Sequence, residues 1–116
     1  MRTDLDFDQF RNILETQKTT FQQRLDQEMK ALQAFSDPNP DFLDAATKIV
    51  VQEQRTGWIS YLRGRQNQIE AALRRLETGK FGICTRCGKE IEIERLKAKP
   101  YARYCVRCKE KTERQS

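Results

Sequence analysis

The sequence predicts an all-α-dominated protein: a long antiparallel helical hairpin of coiled-coil type, joined to a small C-terminal module built around four cysteines. Three observations carry that expectation. Apolar residues recur at helical spacing on both sides of one proline-rich break, Ser36-Asp-Pro-Asn-Pro-Asp41. Only 5 Gly and 3 Pro occur in 116 residues, while 34% of positions are charged, a composition that suits long exposed helices better than a globule. All four cysteines fall in two C-x-x-C pairs, Cys84-Thr-Arg-Cys87 and Cys105-Val-Arg-Cys108. The expected division is residues 1–79 for the hairpin, with its tip at 36–46, and residues 80–116 for the cysteine module and a short terminal helix.

The first helix is expected from about Asp4 to Phe35, with Asp4 or Thr3 as N-cap. Phe7, Phe10, Leu14, Phe21, Leu25, Met29 and Leu32 are spaced by three, four or seven, which puts them on one face. Two prolines within three residues, Pro38 and Pro40, then block helix continuation. A second helix is expected from Asp41 or Phe42 to Thr78, its seam formed by Ala46, Ile49 or Val50, Trp58, Leu62, Ile69, Leu73 and Leu76. Gly79 follows as a natural C-terminal stop. Two long helices joined by so short a turn must run antiparallel. Counting outward from the turn sets Trp58 against Phe21 and Leu62 against Leu14 or Gln17. Gly57 and Gly64 lie seven residues apart on the second helix, and they are read as making room for bulky neighbours such as Phe21 rather than as a bend.

The cysteine module begins at Lys80-Phe-Gly-Ile. Ile91 and Ile93 bracket Glu92 in a strand-like alternation, Glu94-Arg-Leu-Lys can form one helical turn, and Lys109 to Arg114 a terminal helix. Two C-x-x-C pairs 17 residues apart let Cys84, Cys87, Cys105 and Cys108 converge on one tetrahedral Zn²⁺. The chain has no histidine, so a mixed ligand set is excluded. Gly88, directly after the first pair, is expected at positive φ. Two disulfides are the competing explanation, but Met1-Arg-Thr-Asp-Leu-Asp offers no apolar leader, and a reducing, cytoplasmic setting disfavours them.

Charge is unevenly placed. Residues 1–76 carry 11 Lys/Arg against 11 Asp/Glu, and residues 77–116 carry 11 against 6, so the whole net charge of +5 lies in the C-terminal third. Four thiolates around one Zn²⁺ contribute about −2, which leaves that module only mildly basic. No stretch approaches the roughly 20 apolar residues of a membrane span. Enzymatic readings lack support: there is no phosphate loop and no G-x-S-x-G motif, and four cysteine ligands close the zinc shell to water.

The segments Gly82-Ile-Cys84-Thr-Arg-Cys87-Gly88-Lys-Glu-Ile91, Arg95-Leu96-Lys-Ala98-Lys-Pro100-Tyr-Ala102 and Cys105-Val-Arg-Cys108 resemble the DksA/TraR family of bacterial RNA polymerase-binding regulators. The resemblance extends from about Asp41 to Glu113. That family carries an acidic hairpin tip of pattern D-x-x-D-x-A, which here falls at Asp41-Phe-Leu-Asp44-Ala-Ala46. The resemblance implies that the hairpin enters the secondary channel of RNA polymerase. Asp41, Asp44 and Ala46 would then approach the active centre and perturb initiation without sequence-specific DNA contact. It also implies a ppGpp contact at Lys99 and Lys109, whereas Tyr61 and Gln68 stand where basic residues are expected. Compared with longer family members the chain has almost no segment ahead of the first hairpin helix.

Helix capping by Asp41 and Asp44 explains those two residues locally, and it is compatible with a functional tip. Two other readings compete. A GATA-like finger shares the C-x₂-C-x₁₇-C-x₂-C spacing and would bind DNA, but its tail should be more basic than Lys109-Glu-Lys-Thr-Glu-Arg. A structural adaptor would dimerise through the apolar stripe, whereas an intramolecular hairpin predicts an elongated monomer. In the favoured reading the zinc site is an anchor, and the work is done about 50 Å away at the tip, a span set by helix rise.

Overall fold

The computed structural model of the protein describes residues 2–35 and 45–115. Four helices follow one another: α1 (Phe7–Phe35), α2 (Ala45–Glu77), α3 (Ile93–Ala98) and α4 (Val106–Gln115). Among the described residues there is no strand, only an isolated antiparallel bridge between Ile83 and Glu90. The chain divides into two compact units, one of Met1–Lys18 with Gln68–Ser116, the other Thr19–Asn67. The division expected at residue 79 therefore differs from the compact units. The first turns of α1 and the last turns of α2 pack with the cysteine module.

In the unit Thr19–Asn67, Leu25, Ile59 and Leu62 form the buried core, with Phe21 and Leu32 packed against it. The pairing is antiparallel: the Gln66 side-chain amide donates to Gln22, and Arg55 pairs with Glu28 at 2.9 Å. Leu62 thus meets the Phe21–Leu25 level, about one to three turns from the Leu14 or Gln17 level expected. Trp58 is not a seam residue. Its ring, 39% exposed, lies beside the seam and stacks on Tyr61 at 5.1 Å, with the Arg24 guanidinium over it at 5.6 Å. Ile59 takes the buried place, because a step of three to Leu62 serves a helix face as well as a step of four. Ile49 and Val50 are more than half exposed.

The two helix glycines also differ from expectation. A Cβ built at Gly57 or Gly64 meets nothing within 4 Å, so neither makes room for Phe21 or any other described neighbour. Both sit inside α2, where glycine costs about 1 kcal/mol relative to alanine. Gly57→Ala and Gly64→Ala are therefore expected to stabilise the protein by roughly 0.5–1 kcal/mol each, read as a rise in the urea midpoint at constant slope.

In the other unit, Phe81 is fully buried against Phe10 (centroids 5.2 Å) and Phe7 (6.2 Å, edge-on). Leu14, Ile69, Ala72 and Leu76 supply the helical side of this core, and Ile91, Leu96 and Ala102 the module side. The α1 N-cap is Asp6, whose carboxylate accepts from the Gln9 N–H at 3.1 Å. Asp4 is committed elsewhere, as described below. Gly79 closes α2 at φ 74, where Lys80 N–H reaches Arg75 O at 2.9 Å and Gly79 N–H reaches Leu76 O at 3.4 Å. This pair of hydrogen bonds satisfies the last carbonyls of the helix. The strand-like alternation expected at Ile91–Ile93 is instead a buried Ile91 followed directly by α3. The helical turn expected at Glu94–Lys97 lies inside α3, and the terminal helix begins three residues earlier than Lys109.

Candidate metal centre

The four cysteine sulfurs lie within 4.8 Å of one another, and Cys87 Sγ is 3.9 Å from Cys105 Sγ. Tetrahedral Zn–S bonds of about 2.3 Å place ligand sulfurs about 3.8 Å apart, so the cluster fits one ion with little adjustment. Two local structures bring the pairs there. In the first, Cys84 N–H donates to Lys89 O at 2.8 Å and Gly88 N–H to Cys84 O at 3.0 Å, a tight knuckle that needs Gly88 at φ 75. The second pair opens α4. Cys105 acts as a sulfur cap, with the Cys108 N–H 3.5 Å from its Sγ and the Lys109 N–H 2.9 Å from its carbonyl. A thiolate at a helix N-terminus is stabilised by the peptide dipoles behind it.

The surroundings act unequally on the four thiols. Burial pushes the Cys84 thiol up, but the backbone N–H groups of Cys87, Cys105 and Arg86 outweigh it and bring it down to about 6. The Cys108 thiol moves the other way, to about 12, through burial and its sulfur neighbours Cys105, Cys84 and Cys87. Four thiolates gathered this closely repel one another. A divalent cation at the centre reverses that balance. Cys84, Cys87, Cys105 and Cys108 fit one structural Zn²⁺, whose tetrahedral shell the four sulfurs would fill.

The first knuckle is fastened from a residue that carried no signal in the sequence. Arg2 is buried, 5% exposed. Its Nη1 donates to Gly82 O at 2.9 Å and Ile91 O at 2.6 Å, and Nε and Nη2 form a two-point pair with Asp4 at 3.0 and 2.7 Å. Glu90 lies 3.8 Å away. The carboxylate of Asp4 holds the guanidinium above the ordinary arginine pKa, against the opposing effect of burial. Gly82 sits at φ +81, where a Cβ would fall 2.8 Å from Leu5 Cδ1 and 2.9 Å from Arg2 Cδ. Only glycine fits that position.

Of the remaining expected site residues, Asp41 and Asp44 lie outside the described residues, and Ala46 is placed in the first turn of α2. Lys99 is exposed at the C-cap of α3, its N–H donating to Arg95 O at 2.7 Å. Lys109 is half-buried and pairs with Glu113 at 3.7 Å along α4. Tyr61 is exposed and engaged by Arg65, whose Nη2 is 3.2 Å from the phenol oxygen.

The profile described as "Prokaryotic dksA/traR C4-type zinc finger" matches residues 79–114. An uncharacterized protein of Aquifex aeolicus is 51% identical over 49 residues, which is 42% of this chain and 34% of that protein. The RNA polymerase-binding transcription factor DksA of Haemophilus influenzae is 33% identical over 106 residues, covering 86% of this chain and 69% of that protein. This chain thus spans a third of the first relative's length and about two thirds of the second's. The structure of transcription factor DksA2 from Pseudomonas aeruginosa matches with a TM-score of 0.83 at 28% identity, over 94% of this chain and 84% of that one. A four-cysteine module at the predicted spacing, on the ends of two antiparallel helices and in the fold of a DksA protein, places the chain in the DksA/TraR family of C4-type zinc-finger proteins.

Proposed function

We propose that this protein binds RNA polymerase and regulates transcription initiation by inserting its hairpin tip into the secondary channel. The observation that carries the reading is the combination of a DksA-type fold with Asp41-Phe-Leu-Asp44-Ala-Ala46 in the segment between two antiparallel helices. Its relatives are named for polymerase binding. Carboxylates brought near a Mg²⁺-containing centre can compete for charge and for hydrogen-bond donors. Asp41 and Asp44 would supply those carboxylates, and Ala46 a small surface beside them. The protein acts on another enzyme's chemistry and is not itself an enzyme, since its zinc shell is closed. It works in the cytoplasm as a monomer, so sedimentation should give a single-chain mass.

Lys99 and Lys109 are the proposed ppGpp contacts at the polymerase interface. With Tyr61 and Gln68 in the helical positions, ppGpp should add less here than in members with basic residues there. The module is not proposed to read DNA. Acids interleave with bases along α4, and Lys109 is partnered by Glu113, which leaves a poor phosphate-tracking surface.

Asp44→Asn tests the reading. Folding and polymerase capture should persist within about twofold, while the effect on initiation in a purified transcription assay falls at least tenfold. An unchanged effect would overturn the role of the tip.

A further inference from the structure

The two cysteine pairs are positioned by different means. Cys105 and Cys108 stand at the start of α4, whereas Cys84 and Cys87 ride on the loop from Gly82 to Ile91, which belongs to no helix. The base of that loop is closed by the Ile91 N–H, which donates to Gly82 O at 2.8 Å, and by the isolated bridge between Ile83 and Glu90. Such a short two-stranded closure is marginal in water by itself. Arg2 reinforces it from outside the module. Its Nη1 donates to the carbonyl of the residue that enters the loop, Gly82, at 2.9 Å, and to that of the residue that leaves it, Ile91, at 2.6 Å. One nitrogen thus joins both ends. The two-point pair with Asp4, at 3.0 and 2.7 Å, aims the guanidinium. With only 3% of the Arg2 side chain exposed, water competes little for either carbonyl.

Two of the four sulfurs move with this loop. When its base parts, Cys84 and Cys87 shift together relative to Cys105 and Cys108, and half of the donor set is lost at once. Cys87 is exposed, which gives an incoming chelator its side of entry. Opening of a loop is a local event that does not await unfolding of the whole unit. The helical side of that unit is packed separately, by Leu14, Ile69, Ala72 and Leu76. Groups that orient metal ligands from behind change metal affinity by about 10–100-fold when they are removed. We infer that Arg2 is a positioning residue for the metal site: by joining the two ends of the loop that carries Cys84 and Cys87, it sets how long the zinc ion is retained. This role is separate from its contribution to stability, and it does not depend on the polymerase reading.

The test follows release of the ion from the zinc-loaded full chain into an excess of a chromogenic chelator, at neutral pH and well below every melting point. Stability is controlled with Ile69→Val and Ile69→Ala, which open the helical side of the same core; the one that melts closer to Arg2→Met is the reference. Arg2→Met is expected to release the ion at least tenfold faster than the wild type, and the reference no more than threefold faster. Arg2→Lys should stay close to Arg2→Met, since one ammonium does not span both carbonyls and Asp4. Asp4→Asn, which takes the charge and one acceptor from the two-point pair, should release several-fold faster. Asp8→Asn, a change at a carboxylate on the surface of α1, 89% exposed, should release at the wild-type rate. Where Arg2→Met does not fold, the comparison of Asp4→Asn with Asp8→Asn decides. Release from Arg2→Met at the wild-type rate or at the rate of its reference, or equal rates in Asp4→Asn and Asp8→Asn, would overturn the assignment.

Discussion

Exchanging Cys84 for serine is expected to reduce zinc content from one ion per chain to near none and to unfold the module around it. Cys84 is buried, 2% exposed, so no water can replace a lost bond without opening the module around it. Structural zinc contributes an apparent 10–16 kcal/mol in small finger peptides, roughly, at neutral pH, while whole domains are stable by only about 5–15 kcal/mol. Loss of the ion is therefore comparable to the entire stability of the unit. Chelation of the wild type should give the same result. Mild acid should release the ion too, because protons compete for the thiolates. Metal analysis together with amide dispersion for residues 79–114 reads the outcome; full zinc and unaltered melting in Cys84→Ser would contradict it.

The second large effect is expected at Arg2. Arg2→Met keeps the length and apolar stem of the side chain but strands the Ile91 carbonyl, which now receives Nη1 at 2.6 Å, and takes from the Gly82 carbonyl one of its two donors, Nη1 at 2.9 Å, leaving the Ile91 N–H at 2.8 Å. One buried acceptor left unmet costs about 1–3 kcal/mol and one further hydrogen bond lost about 1 kcal/mol, so a loss of roughly 2–4 kcal/mol is expected, with a melting shift on the order of 10 °C. Arg2→Lys should rescue little, since one ammonium cannot serve two carbonyls and the two-point Asp4 pair together. Acid reports the same contact. The hydrogen bond from Arg2 holds the Asp4 carboxyl below its ordinary value, against a smaller upward push from burial. The stability it contributes is present at neutral pH and disappears as pH falls through the carboxylate range. In Arg2→Met that part of the acid-side slope should vanish, and its persistence would show that Asp4 is held by another group.

How much of this was legible in the sequence depends on the kind of signal each feature leaves. The four-cysteine site is written as spacing, and the two helices as long apolar periodicity around a double-proline break, so both could be read directly. Gly79 and Gly88 stand at positions whose neighbours demand positive φ, and they have it. Helix register is harder. Trp58 and Ile59 are adjacent, and either can share a face with Leu62; the larger ring is the stronger signal, yet the aliphatic chain fits the narrow seam while the indole stacks outside it. Glycine inside a helix suggests a packing need, whereas the space at Gly57 and Gly64 is open. Arg2 left no signal at all, and Gly82 only its place in the segment that carries the family resemblance. A lone arginine has no period, and its two carbonyl partners lie 80 and 89 residues away. The α1 cap falls to Asp6 rather than Asp4 for the same reason, since Arg2 has already engaged Asp4.

The residues that hold the module together, Arg2, Phe81, Gly82 and the four cysteines, belong to the unit of Met1–Lys18 and Gln68–Ser116. The proposed effector residues Asp41 and Asp44 lie in the sequence between α1 and α2, outside the described residues. Lesions in the module should therefore lower stability and binding together, whereas tip lesions should separate binding from effect.

The central claim is that residues 36–46 sit at the polymerase active centre. Fe²⁺ substituted for the catalytic Mg²⁺ of RNA polymerase produces hydroxyl radicals that cut only nearby backbone. With this protein bound, cleavage is predicted within or next to residues 36–46 and absent from residues 79–114. Cleavage confined to the zinc module, or none in a complex shown to be fully formed, would contradict it.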